Sequence, residues 1–430
     1  MHTWKKIGFA SLLAAVLLLA PAAGWSQEKA APQPAKLDEL VADLVRNNPE
    51  ILAATARYSA ALALPSIEGS LPDPKVSFGW MSPGTIVPGK QLGVDPNANI
   101  NLQVEQEFPY PGKRGLKADV ARREADNAQY MQSALVREKI AELKQAYYDL
   151  ALAEQTTGLL KENQDALREI TRVAESRYSV GKGMQQDIIK AGTEVSILQN
   201  RLLALDQQKQ SLSARINTML NRPATAAPIS AAFAAELPPL EPLEALQSRL
   251  KQNAPMLLAQ QSMINSRQLG IQLAQKDYYP DFDVMTGYYY QGKMPDMFEF
   301  RVGVSIPIFY KSKQRKEVEQ ATGQLIEARQ NYRATEQTLA FRLQDAYVRA
   351  QTARNLVDLY QRQIVPQSRL ALESSLSSYQ TGGVDFLTVF SNFTTILDYR
   401  MNLYEQQAEY MKALATLEEL TAVPSSEARS

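Results

Sequence analysis

The sequence predicts a mainly helical chain with a small β part, built twice on one plan: short helices, two strands, then a long antiparallel coiled-coil hairpin. Three observations predict it. First, the halves match in order at an offset near 200 residues. Asn48-Pro49 answers Ala254-Pro255, Pro74 answers Pro280, Phe108-Pro109 answers Ile306-Pro307, Ala146-Tyr147 answers Ala346-Tyr347, Tyr178-Ser-Val-Gly181 answers Tyr379-Gln-Thr-Gly382, and Pro223 answers Pro424. A period this long is no short solenoid repeat, where units run ~20 to 50 residues. Second, residues 112–222 contain no proline. Third, segments of strict apolar-polar alternation precede each hairpin, the period of a strand with two unlike faces.

The elements follow in order. Residues 1–26 read as a secretory signal peptide: Lys5-Lys6, an apolar stretch over 7–23, then small residues ending in Gly24-Trp25-Ser26. Residues 27–222 form the first repeat, opened by an Ala-Pro linker at 30–35. Helices are expected over 37–46 and 49–63, broken at Asn47-Asn48, with Pro49 suited to a first helical turn. Strands are expected over 76–80 and 99–105.

After Gly112 a helix of roughly 65 residues would span about 100 Å. It turns at residues 178–183. The returning helix carries Ile188, Ala191, Val195, Leu198, Leu202, Leu205, Lys209, Leu212, Ile216 and Met219 in steps of three and four, the seam of coiled-coil packing. Residues 223–242, rich in Ala and Pro, join the halves. Residues 243–421 repeat the plan: strands over 281–288 and 298–305, a helix over 313–379 that Pro366 is expected to kink, a turn at Gly382-Gly383, and a last helix with Val389, Phe393, Ile396, Leu403, Tyr410, Leu414 and Leu417 on its seam. Residues 422–430 read as a loose tail.

Bulk composition narrows the function. There is no cysteine, and the only histidine is His2, inside the signal. The mature chain therefore lacks the commonest catalytic bases and metal ligands of the nitrogen and sulfur kind; no metal site and no cofactor is expected. Lys+Arg and Asp+Glu stand at 46 each, so nothing points to nucleic acid. Past the signal, no stretch approaches the ~20 apolar residues of a spanning helix. Four strands cannot close a membrane barrel, for which ~8 are the fewest, and a bilayer tolerates no open edge. Two readings stand: a soluble helical protein with a small sheet, or an outer-membrane barrel to which several chains contribute strands. Export, alternation and the strands' position between duplicated hairpins favour the second.

The chain resembles the TolC-like outer-membrane efflux proteins across essentially all of the mature sequence. The resemblance is carried by Asn47-Asn48-Pro49-Glu50, Pro72-Asp73-Pro74, Gln106-Glu-Phe-Pro-Tyr-Pro-Gly-Lys-Arg114, Tyr278-Tyr-Pro-Asp281, Tyr178-x-x-Gly181 and Tyr379-Gln-Thr-Gly-Gly-Val-Asp-Phe-Leu-Thr388. It implies a homotrimer in which each protomer gives four strands to one 12-stranded barrel among outer-membrane lipids, while the hairpins form a trimeric α-barrel through the periplasm. A periplasmic adaptor and an inner-membrane pump, of the resistance-nodulation-division type, would deliver the cargo. The Pro-Gly-Lys-Arg and Val-Asp-Phe-Leu-Thr segments look most like the heavy-metal branch, the CusC and CzcC relatives. Many of those carry a lipidated N-terminal cysteine, which this chain lacks. The alternative is the outer-membrane component of a drug-efflux or type I protein secretion system; behind these stand a periplasmic adaptor and a secreted enzyme.

The resemblance also places a gate at the periplasmic tip. Tyr178 and Tyr379 match the family's tyrosines, Gly181 and Gly382 its turn glycines, and Asp187 an acidic position just inside the first hairpin. In the second hairpin Thr388 and Ser391 stand where some members carry aspartates, with Asp385 as a substitute from another position. Read from the residues alone, Asp187 is either a first-turn acid or a pore-lining one. Gly181, Gly183, Gly382 and Gly383 supply turn conformations denied to residues with a β-carbon, and their exposed backbone is compatible with meeting an adaptor. Trp80, the only tryptophan left if cleavage follows Ser26, lies in the first strand, where amphipathic rings anchor at the membrane interface.

Overall fold

In a computed structural model, residues 36–421 are described; the signal peptide and the tail lie outside them. Two helices open the chain, α1 (Leu37–Asn47) and α2 (Pro49–Gly69). Asn48 divides them. Its side chain accepts from the N–H groups of Glu50 and Ile51, capping α2, and donates to the carbonyl of Met219 at 2.8 Å. The sequence places the end of α2 at Ala63; the helix instead runs through Pro65 to Gly69. Packing along α3 (Lys113–Ser179) outweighs the bond that Pro65 cannot donate.

Strands β1 (Lys75–Met81), β2 (Asn99–Phe108), β3 (Asp281–Tyr290) and β4 (Met297–Ser305) form one antiparallel sheet in that order. The two repeats thus meet at β2 and β3. The register aligns Lys75 with Glu105, Glu105 with Met285, and Met285 with Arg301, so all odd-numbered residues share one face. The even face is apolar and exposed: Val76, Phe78, Trp80, Leu102, Val104, Phe298, Phe300, Val302 and Val304 all stand in solvent. The odd face is polar. There Gln103 donates to the Tyr289 hydroxyl at 3.0 Å, that hydroxyl donates to Glu299, and Glu299 also binds Arg301. No helix among the described residues is long and apolar enough to cross a membrane.

The hairpins follow. The helix α3 has 67 residues, about 100 Å at ~1.5 Å per residue, and returns as α4 (Gln185–Met219). The second repeat has α5 (Leu243–Asn253), α6 (Pro255–Lys276), α7 (Gln314–Leu359), α8 (Val365–Thr381) and α9 (Phe386–Thr421). Where sequence predicts a kink at Pro366, a single π-type turn, Tyr360–Ile364, stands between α7 and α8. The proline has no N–H for the carbonyl four residues back, and its ring would strike that carbonyl. The wider turn relieves this, and Val365 donates to Tyr360.

Two large cores lie along the helices, with a small third of Ile264, Leu325 and Ala328 between α6 and α7. One joins Leu143, Leu150, Ile216, Leu343, Tyr410 and Leu417 to Leu44 of α1 and Leu250 of α5. Alanines at 146, 151, 346, 350 and 353 are buried in it, small enough for close helix approach. The other, nearer the turns, holds Leu160, Leu167, Ala191, Leu198, Val389, Phe393 and Leu397. The seams read from sequence face these cores: Ala191, Leu198, Ile216, Val389, Phe393, Ile396, Tyr410 and Leu417 are buried and the remaining seam positions half-buried.

The joining segment is not loose. Ile229 donates to Ser213, Ala232 to the Tyr147 hydroxyl, and Tyr410 to the carbonyl of Pro238 at 2.5 Å, while Arg354 holds the carbonyls of Leu237 and Pro238.

Sheet and helices meet at Lys113. Its ammonium lies 2.9 Å from both oxygens of Asp281 and 3.2 Å from Asp277. Burial lowers its pKa, but the two carboxylates outweigh this and hold it above the ordinary lysine value. Tyr110 stacks on Tyr279 beside it. A lysine whose pKa rises on folding contributes stability that is complete below the unfolded value, about 10.4, and is lost as pH climbs through the folded one. Lys113→Met is therefore expected to cost about 1.5 to 3 kcal/mol. The gap between its thermal midpoint and that of the parent, followed by circular dichroism in detergent, should hold from pH 7 to about 10 and shrink above. A gap absent at pH 7 would mean that the ion pair does not hold the junction.

Candidate functional site

The two hairpin turns are built alike, 201 residues apart. Gly181 and Gly382 both have positive φ, 71° and 86°. Gly181 donates to Tyr178 and Lys182 to Arg177; Gly382 donates to Tyr379 and Gly383 to Ser378. This is the Schellman pattern, which satisfies the last carbonyls of a helix and needs a left-handed residue. The other two glycines differ. Gly183 has no positive φ, but a β-carbon there would lie 2.9 Å from the backbone nitrogen of Tyr178. At Gly383 it would lie 3.5 Å from the carbonyl of Ser378, an ordinary contact. So Gly383, read from sequence as a residue the turn requires, is not required by its backbone.

The matched tyrosines are unlike. Tyr178 is 47% exposed and Tyr379 3%. The ring of Tyr379 packs edge-on against Phe386 at 6.0 Å, under the guanidinium of Arg177 at 4.6 Å. Its hydroxyl is buried with no hydrogen-bond partner among the described residues. Burial raises its pKa, the charge of Asp187 adds to this, and Arg177 opposes it. Asp187 is therefore close enough to act on Tyr379. It is half-buried in the first turn of α4, where a carboxylate also favours the helix start.

Asp385 is exposed and accepts from the N–H and hydroxyl of Thr388, at 2.9 and 2.6 Å, at the start of α9. The hydroxyl bond first, then the N–H bond, hold its pKa below the usual range. Thr388, a departure from the family's pattern, is thus tied to Asp385.

Sequence reasoning missed Arg177. Its guanidinium donates to the carbonyls of Tyr379 and Gln380, at the end of α8, and to that of Lys182 in its own turn. One side chain thereby bonds carbonyls at the end of α8 and in the turn after α3, and joins the turns of the two repeats. The signal was available: a cation in the last turn of a helix is where such carbonyls find a partner. Lys190 over the ring of Phe390, at 5.0 Å, adds a second link between the hairpins.

Above the turns α3, α8 and α9 border a groove of about 800 Å³. Ile170, Val173, Leu376 and Phe393 give it an apolar lining, and Arg400, bonded to both oxygens of Glu162 at 3.0 and 3.1 Å, stands at its rim. Trp80 lies on the exposed apolar face of β1.

A protein-family model described as outer membrane efflux protein matches residues 40–222 and 246–423. The pyoverdine export outer membrane protein OpmQ of Pseudomonas putida is 24% identical over 94% of this chain and 90% of its own length. The cobalt-zinc-cadmium resistance protein CzcC of Cupriavidus metallidurans is 21% identical over 74% and 73%. The solved structure of the outer membrane protein VceC from Vibrio cholerae superposes with a TM-score of 0.76 at 16% identity, over 90% of this chain and 96% of that one.

The left-handed turns make a graded test. Placing alanine at φ near +70° costs about 1 to 2 kcal/mol. Gly181→Ala and Gly382→Ala are expected to speed amide exchange at both hairpin ends, and Gly383→Ala to leave it near the parent rate. Arg177→Ala should loosen both turns together. Exchange confined to one turn in that variant would show that the guanidinium does not couple them.

Proposed function

The chain belongs to the outer membrane efflux protein family, and from this we propose that three copies form one channel whose tip at Tyr178, Gly181, Gly183, Asp187, Tyr379, Gly382, Gly383 and Asp385 controls entry. It is the outer-membrane exit duct of a tripartite efflux system, with its helical part in the periplasm. The duct is passive; a periplasmic adaptor and an inner-membrane pump of the resistance-nodulation-division type supply cargo and energy. The observation that carries the reading is the sheet. One face is apolar and bare, the other is polar, and both edges are open. A bilayer accepts that only when further copies close the barrel.

Heavy-metal cations are the proposed cargo, supported by the Pro-Gly-Lys-Arg and Val-Asp-Phe-Leu-Thr segments and by the likeness to CzcC. Small organic molecules are the second reading, favoured by a likeness to OpmQ that runs over more of the chain. Growth of a deletion strain on graded cobalt, zinc and cadmium separates the two. Sensitivity of the deletion strain that the plasmid-borne gene reverses supports the first; wild-type tolerance to all three metals sinks it.

Threefold symmetry turns Asp187 into three carboxylates at one level, and an acidic ring favours cations. Asp187→Asn is expected to lower cation selectivity in planar bilayers. With no native cysteine, Asp187→Cys should crosslink between protomers through short thiol reagents. Unchanged selectivity without crosslinking would leave Asp187 a helix-start acid.

Two further measurements test the membrane reading. The detergent-solubilised protein should be a trimer by light scattering. Trp80 emission should be blue-shifted and quenched by lipid-borne quenchers; quenching by aqueous iodide instead would put β1 outside the bilayer.

A further inference from the structure

The open edges of the sheet contain enough information to say how one copy meets the next. We infer that β4 pairs with β1 of a second copy so that Ser305 lies opposite Lys75, and that the cleft at the foot of β4 is the socket for that copy's connector, residues 70–74. This rests on the proposed trimer and specifies its seam.

The faces limit the register first. Odd-numbered residues face the polar side throughout. A slip of one residue would turn every side chain of β1 to the wrong face, so the allowed registers differ by two. The ends exclude the slide toward Pro307, which would leave Lys75 and Val76 without partners in β4. With Ser305 opposite Lys75, all seven residues of β1 find partners, Val76 against Val304, Phe78 against Val302 and Trp80 against Phe300 on the apolar face.

Barrel geometry agrees. Followed across the sheet, Lys75 leads through Glu105 and Met285 to Arg301, and this register then leads to Gly79 of the second copy. That is an advance of four residues per copy, or twelve around three copies. Twelve residues at ~3.4 Å against twelve strands at ~4.8 Å give a tilt of about 35°, inside the usual ~35 to 45°. Sliding β1 by two residues one way gives about 20°. Sliding it the other way gives about 47° and sets Lys75 against Pro307, which has no N–H to donate.

The foot of β4 has the matching surface. An opening of about 640 Å³ there is lined by Lys113, Asp277, Asp281, Ile306, Phe309 and Gln314. Gln314 is 6% exposed, and its Oε1 has no partner among the described residues. Antiparallel pairing runs the second copy's Pro74, Asp73, Pro72 and Leu71 past Ser305, along 306–309. Ile306, Ile308 and Phe309 are exposed on one side of this contact, Ile67 and Leu71 on the other. Asp73, exposed, would approach the exposed Lys311 and Lys313. Pro72 and Pro74 carry no N–H, so Leu71 and Asp73 are the connector's donors toward Gln314.

The cysteine-free chain allows a direct test. Directly opposite residues have β-carbons about 4.5 to 5.5 Å apart and diagonal ones about 7 to 8 Å, and a disulfide needs about 3.5 to 4.5 Å. Ser305→Cys is combined with Lys75→Cys, Ser77→Cys or Asp73→Cys, and the protein is oxidised in native outer membranes. Lys75→Cys is expected to convert the monomer band to covalent dimers and trimers ahead of both offset pairs. Ile308→Cys with Ile67→Cys should be bridged by a short bifunctional thiol reagent. Faster closure at Ser77 or Asp73 overturns the register. No closure at any pair, in a particle that light scattering shows to be trimeric, overturns register and socket together while the trimer stands. A monomeric particle defeats the trimer itself.

Discussion

A backbone N–H or carbonyl inside a bilayer has no water to turn to, and one left unpaired costs several kcal/mol. Most of this molecule follows from that. Among the described residues one copy holds four strands, two to a repeat, and its sheet ends in two edges with no further strand paired to them. The chain cannot satisfy its own strands. In the proposed trimer it is a third of an object, and the long hairpins inherit the symmetry that closing the barrel imposes. The bare apolar face of the sheet, odd for a free-standing domain, is ordinary for the outside of a barrel in lipid.

The junction between sheet and helices carries the consequence downward. Lys113 begins the first long helix and is held by Asp277 and Asp281, which end α6 and begin β3. The two repeats are therefore pinned to each other at the membrane edge, as Arg177 pins them again at the turns. Between these points the segment that joins the repeats is strapped onto the helices through Tyr410 and Arg354. The hairpins are thus fastened at three levels and packed through apolar seams between, so any relative motion must begin where fastening is lightest. At the tip that fastening is the Arg177 guanidinium, the Lys190 ammonium and a few rings.

Much of this was legible in sequence, because periodicity is set by geometry that a chain cannot evade. Alternation located all four strands to within two or three residues at each end, and the steps of three and four located the seams. Prolines misled in both directions. Pro65 did not end α2, because burial against α3 outweighed one lost bond, and Pro366 was met by a wider turn rather than by a simple kink in an unbroken helix. The tip was half-legible. Two turn glycines were read correctly from the repeat, while Gly383 needs no glycine backbone. Arg177 showed its local role as a cation in the last turn of α3, but its bonds to Tyr379 and Gln380 span some 200 residues, a distance across which no local pattern reports. The difference between Tyr178 and Tyr379 escaped for a related reason: the duplication makes them equivalent, and only packing separates them.

The π-type turn keeps a record of the duplication. Ala146-Tyr147 and Ala346-Tyr347 are 200 residues apart, while Tyr178 and Tyr379 are 201 apart. One residue entered the second copy, or left the first, somewhere between these landmarks, and Tyr360–Ile364 lies in that interval. In an α-helix of ~3.6 residues per turn, an added residue would swing everything beyond it by about 100° and carry the seam off its partner. A five-residue loop of backbone takes the addition in place, so the stretches on either side keep facing as their counterparts do. The turn is a scar of unequal inheritance between twins, and it shows how two copies of one ancestor could drift in length without ceasing to fit the same ring.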